Sequence, residues 1–227
     1  MKPCELCPRK CRVDRVKNFG FCGAEENLRV ALVSLHKWEE PCLVGQNGAG
    51  TIFFSHCNLK CVYCQNFLIS HKNYGAEISI ERLAEIFIEQ QQRGAANIEL
   101  VTPTHYTEKI CAAIDIAKAS GLKLPIVWNS NAYENISTLE LLRGRVDIFL
   151  PDLKYFDDET AKTFSAAPNY FSTAAAAIKK MFELVGAAQI KEGLLVRGVI
   201  VRHLILPNFR RDAIKIVERS IKLDNVI

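Results

Sequence analysis

The sequence lacks any apolar stretch long enough to cross a membrane, because runs such as LLVRGVIV at 194–201 are short and broken by arginine. A membrane-spanning helix needs ~20 apolar residues. The start, MKPCELCPRK, has no apolar core of a secretory signal. No run of lysine and arginine stands out, and the formal net charge is only +4, so a nucleic-acid partner has little support. These absences predict a cytoplasmic protein with neither a membrane nor a nucleic-acid partner.

Internal repeats and low-complexity tracts are also absent from the 227 residues. Hydrophobic residues make up 49% of the chain and charged residues 24%, which is the usual balance of a globular protein. A chain of this length can form one substantial domain and a small additional segment. We therefore expect an extension at 1–48 and a main domain at 49–227.

Cysteine, by contrast, is abundant, since the chain has nine. Disulfides are reduced in the cytoplasm, so closely spaced cysteines indicate ligands of a metal or a cluster. Seven of them fall into two groups, which are Cys4, Cys7, Cys11 and Cys22, and then Cys57, Cys61 and Cys64. Of the other two, Cys111 lies in a helical pattern and is predicted to be a small core residue.

From residue 51 onward, short β-branched runs alternate with amphipathic helical patterns. Helices are predicted to start at the N-caps Ser79 and Thr107, and others to lie at 134–143, 157–165, 173–185 and 210–222. The predicted strands are 51–55, 98–102, 125–129, 147–151 and one within 194–206. Strands that alternate with helices and lack short hairpin turns predict a parallel sheet, either doubly wound or curved into a barrel.

The two ends of the chain differ from this pattern. Residues 225–227 look like the opening of a sixth strand, so we expect a domain shortened at its C-terminus, with an open sheet edge. Residues 1–48 are rich in cysteine and glycine and have little helical periodicity. We expect so small a segment to need a metal to become ordered.

The central motif, TIFFSHCNLKCVYCQN, places Cys57, Cys61 and Cys64 in the loop that leaves the first predicted strand. This spacing lets three thiolates bind three irons of a [4Fe-4S] cluster and leaves the fourth iron open. Tyr63, between the last two cysteines, could pack on an adenine ring. The alternative is a zinc knuckle with a fourth ligand elsewhere, such as His56.

This C-x3-C-aromatic-x-C loop after a first strand resembles the signature of the radical S-adenosylmethionine (radical SAM) superfamily. The surrounding segments resemble the branch of pyruvate formate-lyase activating enzymes, and the similarity extends over most of the chain. The similar segments are CELCPRKCRVDR, GFCG, WEEPC, GAGTIFFSHCNLKCVYCQN, LVTPTHY, VWNSNAY, VDIFLPDLKY and VRHLILPN.

The resemblance implies an α/β fold, a partial (β/α)6 barrel with its cluster and cofactor at the C-terminal ends of the strands. It also implies reductive cleavage of S-adenosylmethionine to a 5′-deoxyadenosyl radical, which abstracts hydrogen from a substrate. In the resembling enzymes, the substrate is a glycine of a glycyl-radical protein, and a flavodoxin- or ferredoxin-type protein donates the electron. The alternatives are radical chemistry on a small molecule or another macromolecule, or a non-catalytic iron–sulfur or zinc scaffold.

Polar residues at the predicted strand ends are candidates for cofactor binding. After the second strand, Thr102, Thr104 and His105 stand where many superfamily members have a Gly-Gly-Glu that meets the amino group of the cofactor. The sequence departs from that pattern, so Thr102 and Thr104 are both candidates for this contact, and His105 is interpreted as a residue at the start of a helix. Asn129, at the end of the third strand, is a further candidate.

An Asp-x-Lys after the fourth strand, Asp152 and Lys154, contacts the cofactor ribose and carboxylate in the resembling enzymes. An aspartate can accept hydrogen bonds from sugar hydroxyls and a lysine can pair with a carboxylate. The alternative is an ordinary salt bridge at the strand end. Arg202 is a candidate for the same carboxylate, although an Asp or Glu of the protein could equally supply its anion.

The N-terminal group, Cys4, Cys7, Cys11 and Cys22, is a set of four thiolates. Such a set suits zinc and an auxiliary iron–sulfur cluster equally well. Cys42 could replace one of the four. The sequence therefore predicts a second metal site without deciding which metal it holds.

Overall fold

The computed structural model describes residues 3–220. The strands are β1 (Leu28–His36), β2 (Ala49–Phe54), β3 (Ala76–Ile78), β4 (Ile98–Val101), β5 (Ile126–Ser130), β6 (Ile148–Pro151), β7 (Gln189–Lys191) and β8 (Leu194–Val199). In this part of the chain they form an eight-stranded sheet in the order β3-β1-β2-β4-β5-β6-β8-β7. Strands β2, β4, β5, β6 and β8 run parallel, whereas β1, β3 and β7 are antiparallel to their neighbours.

Helices follow most of the parallel strands. They are α1 (Pro41–Val44), α2 (Phe67–His71), α3 (Ile80–Gln92), α4 (Thr107–Ala119), α5 (Ile136–Glu140), α6 (Asp158–Ser165), α7 (Tyr170–Val185) and α8 (Arg210–Ser220). Within residues 3–220, none of them combines the length and the apolar character that a membrane crossing requires.

Strands β5 and β6 are buried along their whole length, as expected when both faces of a parallel sheet are covered. Successive side chains of a strand point to opposite faces. Trp128 of β5 therefore packs in the large cluster that includes the main helices, whereas Val127 packs in a smaller cluster on the other face. Leu43 of α1 belongs to this smaller cluster, so the connection between β1 and β2 covers the face of the sheet opposite the main helices.

Each of the five predicted strands has a counterpart among the parallel strands, but β1, β3 and β7 were not predicted. The expectation that short hairpin turns are absent is wrong, because β7 and β8 are joined by a two-residue turn at Glu192 and Gly193. Both residues have positive φ, 51° and 81°, as tight hairpin turns require. Strand β7 is exposed throughout, so it shows no apolar alternation in the sequence.

Strand β1 pairs with β2 and β3, so residues on both sides of the predicted division at residue 48 contribute to one sheet. The predicted sixth strand at 225–227 lies outside the described residues.

Ser79 is the N-cap of α3, as predicted, and its hydroxyl accepts a hydrogen bond from the Arg82 amide at 3.1 Å. Thr107 is not a cap but the first residue of α4, and its hydroxyl donates to the Thr104 carbonyl at 2.7 Å. A 3₁₀ turn over Thr104–Tyr106 directly precedes α4.

Replacing Gly48 by alanine is expected to destabilise the fold more than replacing Gly121 by alanine. The backbone φ is 102° at Gly48 and 96° at Gly121, so a side chain strains either position. A Cβ at Gly48 would also lie 2.6 Å from the His36 carbonyl oxygen, whereas nothing lies within 4 Å of a Cβ at Gly121.

We expect Gly121→Ala to lower the free energy of unfolding by about 1–2 kcal/mol and Gly48→Ala by about 3 kcal/mol or more. Urea denaturation of both variants measures the difference. Equal losses would contradict the close backbone approach in the β1–β2 connection.

Candidate functional site

The C-terminal ends of the parallel strands lie at one edge of the sheet, where open parallel sheets bind their ligands. Asn129 lies within β5 and the four N-terminal cysteines precede β1, but the other predicted site residues lie in the loops that leave this edge. These loops are 55–66 after β2, 102–106 after β4, 131–135 after β5, 152–157 after β6 and 200–209 after β8.

The loop with the central cysteines is fixed by backbone hydrogen bonds to the end of α6. The amide of Lys60 donates to the Ser165 carbonyl at 3.0 Å, and the amide of Val62 donates to the Phe164 carbonyl at 2.9 Å. The loop between Cys57 and Cys64 therefore has a defined path before any metal binds.

Each of the three sulfur atoms has a polar neighbour. Cys57 accepts a hydrogen bond from the Leu59 amide at 3.4 Å, Cys61 accepts one from the Ser165 hydroxyl at 2.9 Å, and Cys64 lies 3.2 Å from the Ser70 hydroxyl. Hydrogen bonds to sulfur stabilise metal-bound thiolates and tune a cluster. The chemistry of the donors therefore fits an iron–sulfur cluster.

The three thiols are close enough to influence one another electrostatically. Burial raises the pKa of Cys57 to about 12, and the neighbouring Cys61 and Cys64 add to the rise, while Lys154 opposes it. Burial also raises the pKa of Cys61. Because a bound metal deprotonates a coordinating thiol, the cation of Lys154 and the donors around the sulfurs would then offset the new negative charge.

Asp152 and Lys154 form a salt bridge, 2.7 Å from Lys154 Nζ to Asp152 Oδ2. The other oxygen of Asp152 accepts a hydrogen bond from Arg202 Nε at 3.0 Å. Burial alone would raise the pKa of Asp152, but Lys154 and Arg202 hold it below its ordinary value. Burial likewise disfavours the charge of Lys154, while Asp152 and Cys61 raise its pKa. The group is therefore ionised and lies beside the cysteine loop.

The network continues from Arg202 into the sheet. Arg202 Nη2 donates to Asn129 Oδ1 at 2.7 Å, Asn129 Nδ2 donates to Glu99 Oε1 at 2.6 Å, and the Thr51 hydroxyl donates to Glu99 Oε2 at 2.9 Å. Sequence reasoning missed Glu99, although a carboxylate inside the apolar run IELV is itself a signal. The structure thus brings Asn129, Asp152, Lys154 and Arg202 together, as predicted for the strand ends.

Two acidic residues of the β1–α1 connection also reach Arg202 and were not predicted. Glu39 lies 2.9 Å from Arg202 Nη1, and Glu40 lies 3.7 Å from it. Burial and the nearby Glu99 raise the pKa of Glu39 to about 8, although Arg202 opposes the rise. Carboxylates of the protein therefore supply the anion that a buried arginine needs, and the role of Arg202 in cofactor binding stays a prediction.

Tyr63 is half-buried, and its hydroxyl forms a 2.5 Å hydrogen bond with the hydroxyl of Tyr155. Tyr155 in turn lies 2.6 Å from the Ser165 hydroxyl, which donates to Cys61. The Tyr63 hydroxyl is therefore connected through Tyr155 and Ser165 to the sulfur of Cys61. The packing of Tyr63 on an adenine ring stays a prediction.

The loop after β4 holds Thr102 in a left-handed conformation, with φ of 56°. His105 is buried and Nε2 donates to the Ser55 carbonyl at 2.7 Å. Burial lowers the pKa of His105 to about 3, so this ring is neutral and connects two loops. The ring of His56 faces that of His105, with 6.3 Å between centroids.

The N-terminal cysteines lie near one another in space. Burial raises the pKa of Cys7 to about 12, and Cys22, Cys11 and Cys4 each raise it further. Backbone amides donate to two of the sulfurs, from Phe21 to Cys11 at 3.3 Å and from Ala24 to Cys22 at 3.4 Å.

The remaining two cysteines lie in other surroundings. Cys42 packs against the cluster around Leu43, and Cys111 is buried in α4, which confirms it as a core residue. Within residues 3–220, no three or more His, Cys, Asp or Glu side chains are already arranged around the position of a single metal ion. A four-iron cluster is larger than one ion, so its thiolates need not surround a common point.

Comparison with known proteins agrees with the fold. Residues 51–218 match the Radical SAM superfamily. A relative from Methanocaldococcus jannaschii, "Uncharacterized protein MJ0674", is 32% identical over 216 residues, which cover 91% of this chain and 58% of the relative. The chain thus spans less than two thirds of the length of this curated relative.

A solved structure, "Structure of TYW1 with a lysine-pyruvate adduct bound", is similar with a TM-score of 0.52 and 13% identity, over 85% of this chain and 72% of that chain. At this identity the likeness concerns the fold alone, and it confirms the α/β fold with a partial parallel sheet. Because the family match extends over most of the sequence, from β2 into α8, the chain belongs to the radical SAM superfamily.

Proposed function

We propose that this protein is an enzyme that binds a [4Fe-4S] cluster on Cys57, Cys61 and Cys64, cleaves S-adenosylmethionine reductively and abstracts hydrogen from a substrate. Membership of the superfamily implies the cluster, the cofactor and the generation of a radical. The observation that supports these three residues is their position in one loop at the strand ends, with the cation of Lys154 beside their sulfurs.

When bound, the cluster and S-adenosylmethionine together supply the electron transfer and the radical chemistry. The protein supplies position and exclusion of water. Three cysteines provide one ligand fewer than the cluster has irons, which leaves one iron for the cofactor. Lys154 can pair with the cofactor carboxylate and Asp152 can accept hydrogen bonds from the ribose hydroxyls, so binding would exchange their present salt bridge for these contacts.

The replacement of Cys57, Cys61 and Cys64 by alanine is expected to remove about four irons per chain and to abolish formation of 5′-deoxyadenosine. Far-ultraviolet circular dichroism should still show the helices, because the loop is also held by backbone hydrogen bonds. Iron analysis and product chromatography after anaerobic reconstitution test this. Cys111→Ala is the matched control and should keep both properties. Unchanged iron in the triple variant would refute the cluster site, and a loaded wild-type protein that forms no 5′-deoxyadenosine would indicate a scaffold.

Asp152→Asn is expected to weaken binding of S-adenosylmethionine by ~10-fold, which corresponds to about 1.4 kcal/mol. The substitution removes the charge that holds Lys154 and Arg202 in place and weakens an acceptor for the ribose. Anaerobic titration calorimetry on cluster-loaded protein measures the affinity. Asp115→Asn, which breaks the exposed pair with Arg145, is the matched control. Equal affinity with full iron content would mean that Asp152 is only a structural salt bridge.

We also propose a second metal, zinc or an iron–sulfur cluster, on Cys4, Cys7, Cys11 and Cys22. The support is the mutual proximity of the four thiols and the amides that donate to two of them. Because β1 belongs to the sheet, substitution in the full chain is a better test than removal of residues 1–48.

A Cys7→Ser, Cys22→Ser variant should lose one zinc or one set of cluster irons, because each substitution removes a buried thiol of the group. It should keep the cluster on the 57–64 loop. Elemental analysis of the wild-type and variant proteins decides between zinc and iron. Identical metal content in the two proteins would exclude a second site.

For the substrate, we propose a backbone glycine of a partner protein. The support is the order of sequence segments that resemble glycyl-radical activating enzymes. Capture of partners under anaerobic conditions, followed by mass spectrometry, tests this. A deuterium label on the glycine α-carbon of a captured partner should appear in 5′-deoxyadenosine, whereas a label that stays on the partner would favour a small molecule or another macromolecule.

For the electron donor, we propose a flavodoxin- or ferredoxin-type protein that docks on α2. Phe67 and Leu68 are 45% and 63% exposed close to Cys64, and Lys72 Nζ lies 5.5 Å from the centre of the Phe67 ring. An apolar patch with lysine at its rim suits an acidic partner.

For the location, we propose the cytoplasm. The nine cysteines are free thiols, which fits this reducing compartment.

A further inference from the structure

Arg9 lies between the two cysteine groups and has no part in the function described above. It follows Cys7 by two positions, and its Nε donates to the carbonyl oxygen of Asn58 at 2.9 Å. Asn58 is a fully buried residue of the 57–64 loop. A side chain of the N-terminal segment therefore holds the backbone of the loop directly after its first cysteine.

The guanidinium of Arg9 is enclosed by aromatic rings. Its central carbon lies 3.8 Å from the centre of the Phe21 ring and 5.2 Å from that of Tyr133. Such stacking fixes the plane of a guanidinium while leaving its edge free for hydrogen bonds. Phe21 directly precedes Cys22, so the N-terminal cysteine segment itself forms one wall of the Arg9 pocket.

One nitrogen of Arg9, Nη2, is buried and has no hydrogen-bond partner among the described residues. A buried donor without an acceptor is rare and costly, and it often marks a missing ion or ligand. The thiols of Cys7 and Cys11, in the N-terminal group, and of Cys57, in the loop, interact electrostatically with Arg9. Sulfur atoms of both cysteine groups therefore lie within electrostatic reach of this cation.

We propose that Arg9 is a positioning residue shared by the two cysteine groups, which holds the cluster loop at Asn58 and offers its buried N–H and positive charge to metal-bound thiolates of both. This inference rests on the proposed cluster at Cys57, Cys61 and Cys64. A neutral thiol is a weak acceptor, whereas a thiolate accepts a charge-assisted hydrogen bond. Nη2 has no partner at present, and we expect it to gain one when a metal-bound sulfur comes within its reach.

A buried cation beside a cluster changes the energy of reduction. Reduction adds an electron, and the reduction potential of a cluster depends on net charge and on hydrogen bonds to its sulfurs. Removing the charge of Arg9 should therefore destabilise the reduced state and shift the midpoint potential of the loop cluster to a more negative value. A side chain that served only for packing would leave the potential unchanged.

The test compares the full-length, anaerobically reconstituted wild-type protein with Arg9→Gln, Arg9→Lys and Arg12→Gln. Arg12→Gln is the matched control, because it removes the same charge from the same segment, but its side chain is 71% exposed and pairs with Glu5. Iron content and an EPR-monitored potentiometric titration are the readouts. The Cys57, Cys61, Cys64→Ala protein identifies the signal that belongs to the loop cluster.

We expect a more negative midpoint potential for Arg9→Gln and an unchanged midpoint potential for Arg12→Gln. Arg9→Lys should have an intermediate midpoint potential, because lysine keeps the positive charge but lacks the planar set of N–H donors of a guanidinium. An Arg9→Gln protein with full iron and the wild-type midpoint would overturn the proposal. If Arg9→Gln holds no cluster, Arg9→Lys decides, because iron retained there supports the role of the charge and iron lost there contradicts it. A wild-type protein without a four-iron cluster would refute the proposed function itself, which is a separate result.

Discussion

A carboxylate held between two cations organises the functional edge of this protein. Asp152 contacts Lys154 with one oxygen and Arg202 with the other, so the three side chains fix one another. Asp152 and Arg202 also form a backbone bridge that continues the pairing of β6 with β8. Loss of Asp152 would leave two partly buried cations without the carboxylate that they share, which is destabilising. The geometry at the ends of β6 and β8 therefore depends on this group.

The same group connects the edge with parts of the chain that are distant in sequence. Arg202 reaches Asn129 of β5 and Glu39 of the β1–α1 connection, while Lys154 lies within electrostatic reach of Cys61. Burial and the neighbouring Glu99 raise the pKa of Glu39, and Arg202 opposes the rise. The strand ends, the cysteine loop and the N-terminal segment thus share one electrostatic environment.

Arg9 gives a second connection of this kind on the other side of the cluster loop. It ties the N-terminal cysteine segment to Asn58, as Glu39 ties the segment after β1 to Arg202. The first 48 residues are therefore bound to the strand ends at several separate places. They contribute strand β1, helix α1 on the face opposite the main helices, and charged contacts. This segment is therefore part of the folded domain and not only a metal-binding extension.

Much of the site could be predicted from the sequence, and the rest could not for physical reasons. The motif residues Cys57, Cys61 and Cys64, and the Asp152–Lys154 pair, have fixed spacing and lie where the strand pattern ends. Strand β7 could not be predicted, because it is exposed and short. The partners of Arg202 could not be predicted either, because contacts such as the one with Glu39 depend on how the chain folds back across 163 positions.

The most direct test of cofactor binding at the cysteine loop is the EPR spectrum of the anaerobically reduced, cluster-loaded protein before and after addition of S-adenosylmethionine. If the cofactor binds at the open iron of the cluster on the 57–64 loop, the spectrum of the reduced cluster should change on addition, and the Cys57, Cys61, Cys64→Ala protein should lack both the signal of this cluster and its change. A reduced cluster whose spectrum stays the same at saturating cofactor would contradict a cofactor site at this edge of the sheet.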